Sequence, residues 1–186
     1  RSVFDRRITG ECMATAGNNL SKLDAATLQS LPNGAPFRVG IAVSTWNQEI
    51  TDALRNGAME VLKAVGVLEE NIIVREVPGA FELPLAAQLL LKCAPTCHGV
   101  IAIGSVIRGE TAHFDYVCQA ASSGIMRVGI DQNKPAIFCV LTDDHIDQSR
   151  ARAGGEHGNK GVEAAVACIQ MLGLKANLHG GTEYWD

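Results

Sequence analysis

The chain has 186 residues, 47% hydrophobic and 19% charged, the profile of an ordinary globule with room for one domain and a substantial core. Sixteen Lys and Arg against twenty Asp and Glu give a formal charge of −4, which argues against a nucleic-acid surface, and no polybasic or arginine-aromatic stretch contradicts it. No apolar run reaches the roughly 18 residues that cross a bilayer, which leaves small molecules and copies of the chain itself as partners.

Residues 1–37 have no clear period and end in Pro32-Asn-Gly-Ala-Pro36. They predict an arm with at most one short strand, around Val3 to Thr9, that could join a neighbouring subunit's sheet. Residue 1 is Arg rather than an initiating Met, an opening compatible with processing or truncation. An organellar address such as a plastid therefore stays open beside the cytoplasm.

From Arg38 onward, branched-apolar runs alternate with segments of helical period. Arg38–Ser44, Asn71–Val77, Gly99–Val106 and Pro135–Leu141 read as strands. Thr51–Val65, Glu82–Lys92, Asp115–Arg127, Asp147–Arg152 and Lys160–Leu172 read as helices. Nearly all-apolar strands separated by helices require a parallel sheet covered on both faces. The expected fold is a three-layer α/β/α sandwich with four strands, formed by residues 38–186 as one domain.

In such sheets, ligands sit beyond the carboxyl ends of the strands. The chemically loaded residues follow the strands accordingly: Ser44-Thr-Trp-Asn47, Pro78-Gly-Ala-Phe-Glu-Leu-Pro84, Gly104-Ser-Val-Ile-Arg-Gly-Glu-Thr-Ala-His-Phe-Asp-Tyr116 and Thr142-Asp-Asp144. The third of these is one residue short of a nucleotide phosphate loop and has Glu110 where the loop lysine belongs, which argues against nucleotide hydrolysis. What survives is a tight turn whose Glu110 and Thr111 N–H groups can hold a single phosphate near a helix start. His113 follows closely and can pass a proton near neutral pH, although an imidazole beside aromatic residues also serves as a structural donor.

Other residues allow two readings each. Trp46 either presents a flat face for stacking or caps the core. Glu82 either accepts hydroxyls or places a favourable charge at a helix N-terminus. Arg150 to Gly161 gathers cations and glycines; a guanidinium there can grip phosphate, or the run is a solvated basic face, and its glycines suggest a shaped loop.

Six cysteines are scattered without a disulfide spacing, which predicts reduced thiols and an intracellular home. Cys93-Ala-Pro-Thr-Cys97-His98 lacks a second ligand pair for a metal, and the sequon Asn19-Leu-Ser21 means little without a secretory signal. No nucleophile elbow flanks Ser44 or Ser105, and no dinucleotide fingerprint follows the first strand. A covalent hydrolase and a dinucleotide dehydrogenase are both disfavoured.

Taken together, Trp46-Asn47, Val77 to Pro84, Gly104 to Tyr116, Val140-Leu-Thr142 and Arg152 to Gly161 resemble the 6,7-dimethyl-8-ribityllumazine synthase family over about residues 38 to 175. The resemblance implies a flavodoxin-like sheet. It also implies condensation of 5-amino-6-(D-ribitylamino)uracil with 3,4-dihydroxy-2-butanone 4-phosphate, without metal or organic cofactor. Trp46 would stack on the pyrimidine, Ala80, Phe81 and Glu82 would line the ribityl side, and Ser105, Val106 and Ile107 would face the pyrimidine. Glu110 and Thr111 would supply the phosphate turn, Arg152 its countercharge and His113 the proton shuttle.

The family's counterparts of Phe138 and Arg152 reach the site from a neighbouring subunit, and Lys160 falls in the same motif as a substrate-binding position. The resemblance further implies pentamers, with the short Gly154 to Gly161 loop favouring an icosahedral shell of twelve, and riboflavin synthase as a partner. Two departures stand out: Thr45 replaces a common arginine, and the arm before Arg38 is longer than usual. An archaeal-type riboflavin synthase and a flavin-storage protein of the same fold are the rival expectations.

Overall fold

The computed structural model describes residues 25–93 and 96–178. The strand expected at Val3 to Thr9, Cys12 and the sequon lie outside the described residues. In chain order the elements are α1 (Ala25–Ser30), β1 (Val39–Ser44), α2 (Gln48–Ala64), β2 (Ile72–Val77), α3 (Leu83–Lys92), β3 (Gly99–Ile107) and α4 (His113–Gln132). Then come β4 (Ala136–Asp143), α5 (Ile146–Arg152), a small hairpin of β5 (Ala153–Gly155) and β6 (Gly158–Asn159), and α6 (Lys160–Leu178). Single 3-10 turns at Glu69–Asn71 and Ala80–Glu82 lead into β2 and α3.

The main sheet has four strands in the order β2-β1-β3-β4, and every pairing in it is parallel. These are the first four places of the flavodoxin-like order, whose reversal point falls between β1 and β3. The alternation of side chains sorts the core by face. Ile41, Val43, Ile101 and Ile103 pack with Leu54, Val61 and Ile169 of α2 and α6. Ala42 and Ala102 turn to the other face and meet Leu83 of α3 and Ile125 of α4. Small residues on that face let α3 and α4 lie close, while branched residues fill the deeper α2/α6 side. Each large side chain buried there contributes roughly 1.5–3 kcal/mol.

The helices α2 and α6 also approach closely. A Cβ placed at Gly161 would overlap the Leu54 carbonyl, so glycine is required where the helices touch. The hairpin preceding α6 turns through Gly154 (φ 112°) and Gly158 (φ 75°), backbone conformations that favour glycine.

Structure and expectation differ at several places. The arm contains α1, and its last residues belong to the globule: the Gly34 N–H donates to the Val65 carbonyl at 2.8 Å, and Phe37 is buried. No apolar period marks this stretch, because single residues rather than a repeating face make the contacts. Helix α4 begins at His113 and ends at Gln132, beyond both expected ends. Its C-terminus is set by Asn133 in a left-handed conformation (φ 49°), a stop that asparagine tolerates.

Candidate active site

The turns after the strands are stitched to one another by hydrogen bonds. The Thr45 N–H donates to the Val77 carbonyl at 2.9 Å and the Thr45 hydroxyl to the Pro78 carbonyl at 3.2 Å, joining the β1 and β2 ends. Asn47, left-handed at φ 55°, sends its side-chain N–H to the Ser105 carbonyl at 2.9 Å, across the reversal point between β1 and β3. The Arg108 N–H donates to the Asp143 carbonyl at 3.0 Å, joining β3 to β4.

Trp46, held between Thr45 and Asn47, is 69% exposed, which rules out its reading as a core residue. Gly79 lies against it: a Cβ there would stand 3.7 Å from Trp46 Cδ1. Ala80 is buried beneath this turn, while Phe81 is 61% exposed. The geometry shows Glu82 serving the helix start. Its Oε2 accepts the Gly79 N–H at 3.0 Å, closing the turn before α3, and Oε1 has no hydrogen-bond partner among the described residues. Val106 and Ile107 are half-buried. The hydroxyls of Ser44 and Ser105 are buried without a hydrogen-bond partner among the described residues.

After β3, residues 109–111 are exposed and lead into α4. A Cβ at Gly109 would meet nothing within 4 Å, so the turn faces open space. Ala112 stands at the cap position of α4 and offers no side-chain cap; the nearest substitute is a long 3.4 Å contact from the His113 N–H to the Thr111 hydroxyl. The Asp115 N–H is taken by the Ala112 carbonyl at 3.1 Å, which leaves the Phe114 N–H at the start of this twenty-residue helix, with those of Glu110 and Thr111 before it, without a hydrogen-bond partner among the described residues, an arrangement that can attract an anion. His113 is exposed at that terminus.

Arg108, which sequence reasoning passed over, keeps this turn in place. Its Nε donates to Asp144 Oδ1 at 2.7 Å, a terminal nitrogen lies 3.2 Å from Asp115 Oδ1, and the guanidinium sits 4.1 Å over the Phe114 ring. The hydrogen bond that Arg108 gives to Asp144 raises its pKa further. The only signal in the chain was an arginine followed by acids at later turns, a pattern equally typical of solvated surface.

A second group of residues lies elsewhere. Phe138, Arg152 and Lys160 line a cavity of about 410 Å³ beside β4 and α6, together with Thr142 and Glu163 and without Trp46, Phe81, Glu82 or His113. Phe138 is not at a strand end: it pairs with Ala102 in mid-strand and is 40% exposed on the outermost strand. Ala80 to Glu82 follow the opposite outer strand, three strand spacings or about 14 Å away. On one protomer the two groups of residues are therefore separate.

The cations around these two groups differ in their commitments. Arg108 is paired as described, Arg150 donates to Glu49 and Asp147, and Lys160 lies 2.8 Å from both oxygens of Glu163. Arg152 donates to the Gln148 carbonyl at 3.0 Å and alone of the four has no carboxylate partner among the described residues. Burial pushes the Cys97 thiol up to about 11 and those of Cys139 and Cys168 up to about 12, so none of them is a thiolate nucleophile. The imidazole of His98 accepts the Arg38 N–H at Nδ1 and serves the fold.

A parallel sheet in this order, with exposed Trp46, the open turn at residues 109–111 and His113 all following its two central strands, defines a flavodoxin-like α/β protein with its loaded residues at the reversal point. The family model for 6,7-dimethyl-8-ribityllumazine synthase matches residues 36–176. A protein of that name from Christiangramia forsetii is 48% identical over 163 residues, covering 88% of this chain and 95% of its own. One from Porphyromonas gingivalis is also 48% identical, covering 88% and 99%, and one from Flavobacterium psychrophilum is 46% identical over 174 residues, covering 94% and 90%. The chain belongs to the 6,7-dimethyl-8-ribityllumazine synthase family, a family of transferases.

Proposed function

We propose that this chain condenses 5-amino-6-(D-ribitylamino)uracil with 3,4-dihydroxy-2-butanone 4-phosphate to give 6,7-dimethyl-8-ribityllumazine, phosphate and water, in riboflavin biosynthesis. What supports this most directly is an anion site in two parts: an uncapped α4 N-terminus facing open space, and an Arg152 guanidinium left without a carboxylate. Glu110 and Thr111 hold the phosphate by main-chain N–H groups, and Arg152 of the adjoining protomer neutralises it. Trp46 stacks on the pyrimidine. Phe81 and the free oxygen of Glu82 receive the ribityl chain, with Ala80 as floor, and Ser105, Val106 and Ile107 form the wall of the β3 end. Phe138 and Lys160 approach from the same neighbour as Arg152.

The uracil amine attacks the ketone and water leaves to form a Schiff base. Loss of a proton then drives elimination of phosphate, and the second nitrogen closes the ring with loss of water. His113 accepts and returns the protons beside the departing phosphate. Holding two substrates in one orientation supplies much of the acceleration, up to about 7–11 kcal/mol.

The half-sites lie on different surfaces, so protomers join head to tail, and such contacts close into rings. Exposed Met126, Ile130, Met171 and Leu174 border a further apolar groove between α4 and α6, a surface suited to a second copy. The ring is a pentamer, twelve of which pack into a shell, in the cytoplasm, with riboflavin synthase taking the product. Among the described residues no helix is long and apolar enough to cross a membrane.

Mixing the purified protein with both substrates tests the activity: lumazine fluorescence should rise with one inorganic phosphate released per product. Tight riboflavin binding without phosphate release would replace the reading by flavin storage.

A further inference from the structure

We propose that Glu49 and Arg150 are positioning residues that set the direction of the Arg152 guanidinium. Arg150 donates to both oxygens of Glu49, from Nε at 3.0 Å and from a terminal nitrogen at 3.1 Å, and its other terminal nitrogen donates to Asp147 at 3.0 Å. The fork spans 101 residues of sequence and joins the start of α2 to α5. Glu49 lies one residue inside α2.

Helix α5 has seven residues, too few to hold a direction without outside contacts. Residues two apart on a helix point about 200° away from each other, so fixing Arg150 against α2 turns Arg152 toward the β4 cavity whose lining includes it. The buried hydroxyl of Ser149 donates to Asp143 at 2.7 Å and fixes a further side of the helix. Together these bonds set the roll of α5.

Both partners of the fork are substantially exposed, at 49% for Arg150 and 63% for Glu49, and an exposed pair adds little to overall stability. Its effect is on geometry. A two-bond fork on a planar guanidinium fixes orientation in a way a single ion pair does not. The hydrogen bond from Arg150 also holds the Glu49 carboxyl below the usual carboxylate range, so the fork is intact at neutral pH.

This inference rests on Arg152 serving the phosphate as proposed above, so Arg152→Lys is measured alongside Glu49→Gln, Arg150→Lys and the charge-exchanged double Glu49→Arg/Arg150→Glu, all in the assembled protein. Glu49→Gln should raise KM for the phosphate substrate about tenfold, leave KM for the pyrimidine and the melting temperature unchanged, and lower kcat little. Arg150→Lys, keeping charge without the fork, should fall between wild type and Glu49→Gln, and the double should recover most of the loss.

If Arg152→Lys raises the phosphate KM while Glu49→Gln and Arg150→Lys do not, the positioning role is wrong and the phosphate role stands. An Arg152→Lys enzyme with the wild-type KM removes both. Equal rises in the two KM values accompanied by a fall in melting temperature would make the fork a structural tie only.

Discussion

In the proposed mechanism Arg152 and His113 serve the same phosphate but do different work. Removing the guanidinium takes away charge-assisted hydrogen bonds worth about 1.5–3 kcal/mol, so Arg152→Ala should raise KM for the phosphate substrate roughly 10- to 150-fold while kcat falls less. His113→Ala leaves both substrates in place and loses only the proton carrier. Its kcat should drop about a hundredfold without vanishing, since orientation still operates. Steady-state kinetics with each substrate varied in turn separates the two, and a full-rate His113→Ala enzyme would take the histidine out of the mechanism. At this scale the sequence was informative about residue type and silent about direction. Trp46 and Glu82 each had two readings, which turned on exposure and on one hydrogen bond to Gly79. Neither can be read from neighbours in the chain.

Among the elements, the strands were legible because β1 and most of β3 are buried on both faces and so are apolar at nearly every position. The four loaded loops were legible for the same reason, since each follows a strand whose end was clear. Helix ends were harder. The start of α4 at His113 has no capping side chain to announce it. Arg108 was missed because its partners, Asp115 and Asp144, come together only after β3 and β4 pair. Arg108→Gln should loosen the turn, raising KM for the phosphate substrate severalfold, with little change in melting temperature because all three groups are exposed. Gly161→Ala tests the other side of the fold. Its methyl group would press on the Leu54 backbone, so the variant should lose about 1–3 kcal/mol and melt several degrees lower, read by thermal denaturation. An unchanged melting point would mean that α2 and α6 can separate without cost.

For the molecule as a whole, the buried thiols set an alkaline limit. Folding raises Cys97 to about 11 and Cys139 and Cys168 to about 12 from an ordinary value of 9.0. The unfolded chain therefore releases these protons first. The stability these thiols contribute is fully present below pH 9.0 and is lost as pH rises toward the folded values, by about 1.4 kcal/mol per pH unit for each thiol. Denaturant midpoints measured in reductant should be flat from neutrality to that point and then fall, less steeply in Cys139→Ala.

The proposed sharing of each site between neighbours follows from the fold, because a sheet with Phe81 past one outer strand and Phe138 on the other cannot close one pocket around both. Co-expression of a Trp46→Ala/His113→Ala chain with an Arg152→Ala chain tests this most directly. If each site is shared between neighbours, mixed assemblies rebuild about a quarter of their sites intact and regain lumazine synthesis well above either parent. Activity no greater than the average of the two parents would contradict a site completed by the next subunit.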